Sequence, residues 1–137
     1  MSYWLVKTEP DAWSWQQQLD AGTTPWDGVR NHQAANNLKA MQVGDRAFFY
    51  HSGDERRIVG VVEVVRPYYP DPGDASGRFG MVDMRTVAAL PEPVTLAAVK
   101  ADPRLQHLAL VRQSRLSVMP IDDDAWRQLC AMGGLQA

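Results

Sequence analysis

At 137 residues, with 45% apolar and 22% charged content, the chain has the make-up of one globular domain spanning 1–137, long enough to bury about two thirds of its unfolded surface. A formal net charge of −2 argues against a broad, charge-driven nucleic-acid binder, and no apolar run approaches the ~20 residues of a membrane span. The single cysteine, Cys130, excludes an intrachain disulfide framework; with no basic stretch or hydrophobic signal core at the start, a cytoplasmic monomer is expected.

Residues 3–8 are β-branched and aromatic and predict a buried strand ending at Glu9-Pro10. Ser14 and Gln17 have the spacing of a capping box, opening a short helix that stops near Gly22. The stretch 23–29 reads as an ordered loop or irregular strand, and Asn31 caps a second helix with Ala34, Ala35, Leu38 and Met41 on its apolar face. Gly44-Asp45 turns into a strand over 46–52, paired as a hairpin with a strand over 58–66. Pro67, Pro70, Pro72, Gly73 and Gly77 predict a long loop carrying Tyr68 and Tyr69. A strand over 81–89 ends at Pro91 and Pro93, and Thr95 caps a helix through Lys100. A last strand covers 116–119, and Asp122 or Asp123 caps a final helix closed by Gly133-Gly134. Five or six short strands with small flanking helices predict an α+β domain on a strongly curved sheet or barrel.

Four of the five tryptophans fall in the first quarter of the chain, interleaved with Lys, Arg, Asn and Ser. Each indole must place an N–H donor as well as pack. Flat aromatic walls beside such donors are what a pocket for one planar polar group needs, a nucleobase for example.

Several strings resemble those of the EVE domain family: Tyr3-Trp4-Leu5-Val6-Lys7-Thr8-Glu9-Pro10, Trp26-Asp27-Gly28-Val29-Arg30-Asn31, Phe48-Phe49-Tyr50-His51-Ser52 and Ile58-Val59-Gly60-Val61. So do Tyr69-Pro70-Asp71-Pro72, Val82-Asp83, Leu110-Val111-Arg112 and Arg115-Leu116-Ser117-Val118. The likeness runs in order along essentially the whole chain. It implies a PUA-like fold, a curved mixed pseudo-barrel related to the YTH domains that read N6-methyladenosine in RNA. It also implies binding of modified cytosine in DNA, 5-methyl- or 5-hydroxymethylcytosine, with the base taken out of the duplex.

Within such a pocket Trp26, set among Pro, Asp and Gly, is the first stacking candidate; the competing reading is a core indole. Replacing it by Ala is expected to abolish discrimination and leave the fold intact. Trp13 is the candidate second wall beside Ser14, while Trp4 and Trp126 read as core. Lys7, Thr8 and Glu9 leave the first strand where a rim would lie, although Lys7 and Glu9 could be only a surface pair worth ~0–1 kcal/mol. Asp27 either accepts from a base N–H or binds the turn at Gly28, and Val29 joins the base-binding set. Asn31 reads as a cap, a ligand contact or both, with Arg30 beside it suited to phosphate. Tyr50, His51 and Ser52 end a strand near the pocket; His51 reads equally as a structural hydrogen-bonder. Arg112 and Arg115 are phosphate candidates or ordinary solvated arginines, and Tyr69 and Asp71 a candidate lid.

No catalytic motif, metal-ligand spacing or cofactor loop is present, so no catalytic residue, metal or cofactor is expected. Cys130 reads as a small core residue. The expected partner is nucleic acid, modified DNA first and RNA as the alternative, with no membrane. The other rivals are an enzyme acting on a nucleotide or small molecule in the same pocket, and a protein-interaction module.

Overall fold

The computed structural model describes residues 1–136. Along the chain run β1 (Tyr3–Thr8), α1 (Trp15–Ala21), β2 (Thr23–Pro25), α2 (His32–Ala40), β3 (Arg46–His51), β4 (Arg57–Pro70) and β5 (Gly80–Thr95). There follow α3 (Leu96–Ala101), α4 (Ala109–Arg112), β6 (Val118–Ile121) and α5 (Asp123–Met132), with a 3-10 turn at Pro103–Leu105. The expected caps form. Ser14 and Gln17 make a reciprocal capping box on α1, and Asn31, Thr95 and Asp122 accept the first free N–H groups of α2, α3 and α5.

The strands make one six-stranded mixed sheet in the order β2-β5-β4-β3-β1-β6. Only the β1–β3 pair is parallel. From Ala47 to His51 every β3 residue is buried, so this strand is covered on both faces. Because successive side chains point to opposite faces, Phe48 and Phe49 serve different cores. Phe48 stacks on Trp126 of α5 at 4.0 Å between centroids, and Trp126 stacks on Tyr3 at 4.2 Å. On the other face Phe49 meets Trp15 edge-on at 5.1 Å and Trp26 at 5.5 Å.

Trp15 sits that close because its six-membered ring covers Gly60 of β4, where a Cβ would overlap the ring. Its indole Nε1 is buried without a hydrogen-bond partner. That orphan costs roughly 1–3 kcal/mol, which the burial of so large a ring offsets.

β4 and β5 both outrun their expected ends. Pro67 and Pro70, read as loop prolines, and Pro91 and Pro93, read as a stop, lie inside the strands, while Pro72 falls in the turn after β4. Register shifts between Arg66 and Tyr69 and between Ile58 and Gly60 absorb Pro67 and the Leu90–Pro93 segment, and Pro70 takes the last paired position of β4, opposite Gly80. Tyr69 is therefore a strand residue and not a lid. Its hydroxyl donates to Asp83, and the Arg66 guanidinium lies 3.6 Å from its ring centroid. β6 likewise begins two residues later than expected and includes Pro120, which an edge strand tolerates.

Asp71 is not a lid either, being only 5% exposed. One carboxylate oxygen accepts from the Gly28 N–H (3.0 Å) and Arg30 Nη1 (2.9 Å), and the other from the Gly73 N–H (2.7 Å). The carboxylate thus ties the segment after β2 to the turn after β4. Gly28 is the residue that can comply, since its φ is 77°. The Gly28 N–H, then Arg30 and the Gly73 N–H, hold the Asp71 carboxyl below the usual carboxylate range against the opposing effect of burial.

Two outcomes are expected. Gly60→Ala should force Trp15 off β4 and cost about 1–3 kcal/mol, read as a lower denaturant midpoint. For Asp71 the folded pKa is depressed, so its stabilisation is complete above the unfolded value of about 3.9 and fades as pH falls through the folded one. Asp71→Asn should be less stable than the parent at pH 7, with the gap closing below about pH 4; a pH-independent gap would contradict the clamp.

Candidate functional site

On the Phe49 face a cavity of about 550 Å³ opens between the end of β1, the 9–14 turn, the segment after β2 and the approach to β6. Of the residues expected at a pocket, Lys7, Thr8, Trp13, Trp26, Asp27, Val29, Arg30 and Asn31 line it. Ala12, Thr24, Pro25, Gly28 and Ser117 line it as well. Ser117 comes from more than 100 residues downstream, and its carbonyl accepts the Lys7 N–H at 2.8 Å. Only the string Arg115-Leu116-Ser117-Val118 could have signalled it.

Each wall has its own support. Trp26 is only 7% exposed, so it is at once a core residue against Phe49 and a cavity wall. Its backbone N–H donates to Val82 at 2.7 Å, which continues the β2–β5 pairing. Trp13 is half-buried, and its indole N–H donates to Gln18 Oε1 at 2.9 Å. Gln18 is fully buried and also donates to the Met84 carbonyl at 3.2 Å. A glutamine on a short helix gives no hint of this in the sequence.

The polar lining is mostly donors. Lys7 Nζ donates to the Ser114 carbonyl at 3.0 Å and stands 5.5 Å from the Tyr50 ring centroid. Burial lowers the Lys7 pKa from its ordinary value. Asn31 uses its Oδ1 on the Ala34 N–H at 2.9 Å, which leaves its amide NH₂ to point elsewhere. Asp27 is exposed at the rim and supplies a carboxylate acceptor.

Other expected contacts lie outside the lining. Ser14 is spent on its capping box, and Glu9 is exposed, its carbonyl accepting from the Ala12 and Trp13 N–H groups at 2.9 and 3.0 Å. Tyr50 is buried under Lys7, and the Ser52 N–H donates to the Thr8 carbonyl at 2.9 Å. His51 holds α1 in place: Nε2 accepts the Trp15 N–H at 3.0 Å, so Nδ1 carries the hydrogen and donates to Glu55 at 2.9 Å. Ser14, Tyr50, His51 and Ser52 thus support the wall instead of facing the cavity. Arg112 and Arg115 line a separate shallow depression that shares Asn31 with the cavity. Among the described residues no group of three or more His, Cys, Asp or Glu could hold a metal ion, and no helix is long and apolar enough to cross a membrane.

Known proteins share this frame. Thymocyte nuclear protein 1 of Homo sapiens is 30% identical over an alignment of 162 residues covering 90% of this chain and 70% of that protein. A protein of Rhodopseudomonas palustris solved by NMR superposes with a TM-score of 0.93 at 53% identity, over 98% of this chain and 94% of that one. The crystal structure of the human thymocyte protein in complex with 5-methylcytosine-containing DNA superposes with a TM-score of 0.90 at 29% identity, over 100% of both chains. The EVE domain family profile matches residues 2–132. On these grounds, and with the mixed α+β, PUA-like architecture the strings imply, this chain belongs to the EVE domain family.

Proposed function

We propose that the chain is a non-catalytic reader of modified cytosine in DNA, which takes the base, flipped from the helix, into the 550 Å³ cavity. The observation that carries this reading is the superposition, over the full length of both chains, on a relative solved with 5-methylcytosine-containing DNA. The cavity lining supports it. Trp26 and Trp13 offer aromatic surface, and stacking on one indole contributes about 1–3 kcal/mol. Extraction of a base costs a few kcal/mol, so hydrogen bonds must supply the surplus. Lys7 and Asn31 present donors to the cytosine O2 and N3 acceptors, and the Asp27 carboxylate can accept from the exocyclic amine.

Burial changes how the wall is tested. Trp26→Ala would open the core beside Phe49 and cost about 3–5 kcal/mol, so the expectation of an intact fold does not survive. Trp26→Phe and Trp13→Ala are the informative substitutions.

The reading is tested by titrating tryptophan fluorescence with matched duplexes carrying cytosine, 5-methylcytosine or 5-hydroxymethylcytosine, with an RNA control. Quenching selective for a modified duplex is expected, and Trp13→Ala should weaken it by roughly 1–3 kcal/mol, or about 5- to 150-fold. Equal response to all duplexes, or a response to RNA alone, would overturn the DNA reading.

A further inference from the structure

Charged groups of both signs surround the cavity. Asp27 is an exposed carboxylate of its lining, and Glu9 and Asp11 are exposed in the neighbouring 9–14 turn. Next to it, sharing Asn31, is the depression of about 340 Å³ lined by Gln33, Arg112, Ser114 and Arg115. The two hollows are joined physically as well, because Lys7 of the cavity donates to the Ser114 carbonyl at 3.0 Å.

Arg112 and Arg115 differ from most arginines of the chain. Arg30, Arg46, Arg57, Arg85, Arg104 and Arg127 each pair with a carboxylate. Among the described residues Arg112 and Arg115 pair with none, and the sequence from Pro103 to Ile121 contains no acid. Arg112 is steadied by its Nε, which donates to the Gln106 carbonyl at 2.9 Å and leaves the terminal nitrogens free. Two exposed, unpaired guanidinium groups beside Gln and Ser form a seat for an anion with several acceptor oxygens. Arginine meets such an oxyanion through paired N–H bonds.

The geometry points to this depression as the seat of the phosphodiester next to the nucleotide whose base occupies the cavity. The inference rests on the base-reading function proposed above. The strand leaves the cavity over Arg112 and Arg115, the adjoining hollow that offers unpaired cations, where a phosphate lies well within a Debye length of about 8–10 Å of both. A chain with net charge −2 can then hold a polyanion locally while its body stays acidic. That pattern gives a small number of phosphate contacts, and so a shallow salt dependence.

The test is fluorescence anisotropy of an end-labelled duplex carrying one 5-methylcytosine, measured over about 50–200 mM salt. It compares the parent, an Arg112→Gln/Arg115→Gln double variant, and Arg127→Gln as a control on a different face. Each lost phosphate contact should flatten the slope of log K against log salt by about 0.9. Because the two arginines hold one phosphodiester, the double variant should lose about 0.9 in slope and keep its preference for 5-methylcytosine over cytosine, while the control keeps both. An unchanged slope in the double variant, with discrimination intact, overturns the phosphate seat and leaves the base-reading function standing. A slope flattened in the double variant, with a parent that never discriminates, would support the seat and overturn the base reading. Absence of binding to any duplex overturns both.

Discussion

Everything in the fold hangs on β3 being buried on both faces. A strand of only six residues, Arg46–His51, carries two large rings that point in opposite directions. Phe48 anchors α5 through Trp126, and Phe49 anchors α1 and the segment after β2 through Trp15 and Trp26. The parallel pairing of β1 with β3 follows, since a parallel pair is favoured where both faces are covered. It also sends the ends of β1 and β3 to the same edge. There Lys7 and Thr8 leave β1 to line the cavity with Trp26, which Phe49 holds, and with Trp13. The cavity is thus the place where one of two aromatic cores runs out of filling.

Its edges are set by buried polar groups. Among the described residues four are buried, Gln18, Asp45, His51 and Asp71, and each satisfies groups that belong to another segment. Asp71 holds the Gly28 and Gly73 N–H groups, and His51 holds the Trp15 N–H. Gln18 holds the Trp13 indole, while Asp45 accepts from the Trp4 indole, the Ser2 N–H and the Gln42 N–H. Orphaning such a donor costs about 1–3 kcal/mol, enough to fix a loop in one arrangement. Three of the four frame the cavity. Its rim is therefore preformed, and less of the binding free energy goes into ordering it.

Much of this was legible in the sequence. The capping signals of Ser14, Asn31, Thr95 and Asp122 are local, and local chemistry decided them. The aromatic residues at the start of the chain pointed toward the cavity, because Trp13 and Trp26, both in the first quarter of the sequence, line it. What escaped was decided at a distance. Pro67 and Pro91 read as strand breakers, but bulges let the β4–β5 hairpin pass through them. Tyr69 and Asp71 read as a lid because the same prolines suggested a loop, and only the pairing with Met81 and the contact with Gly28 reveal otherwise. His51 and Ser52 sit next to pocket residues in sequence, yet the one props up α1 and the other pairs with Thr8. Ser117 shows the converse, since no local pattern could place it against Lys7.

Under the proposed function Trp26 would serve the core and the ligand at once, which would link stability to recognition. Its ring seals the Phe49 core on one side and walls the cavity on the other. An indole fixed by core packing has no rotamer freedom left to lose when a base stacks on it, so the entropy cost falls on the ligand alone. The same fixation means that the wall cannot adapt to a larger base by rotating away. Adjustment must come from Trp13, which is half-buried and tethered through one hydrogen bond to Gln18. On the proposed base-reading function, selectivity for the size of a base substituent would accordingly reside on the Trp13 side of the cavity, and affinity for any planar base on the Trp26 side.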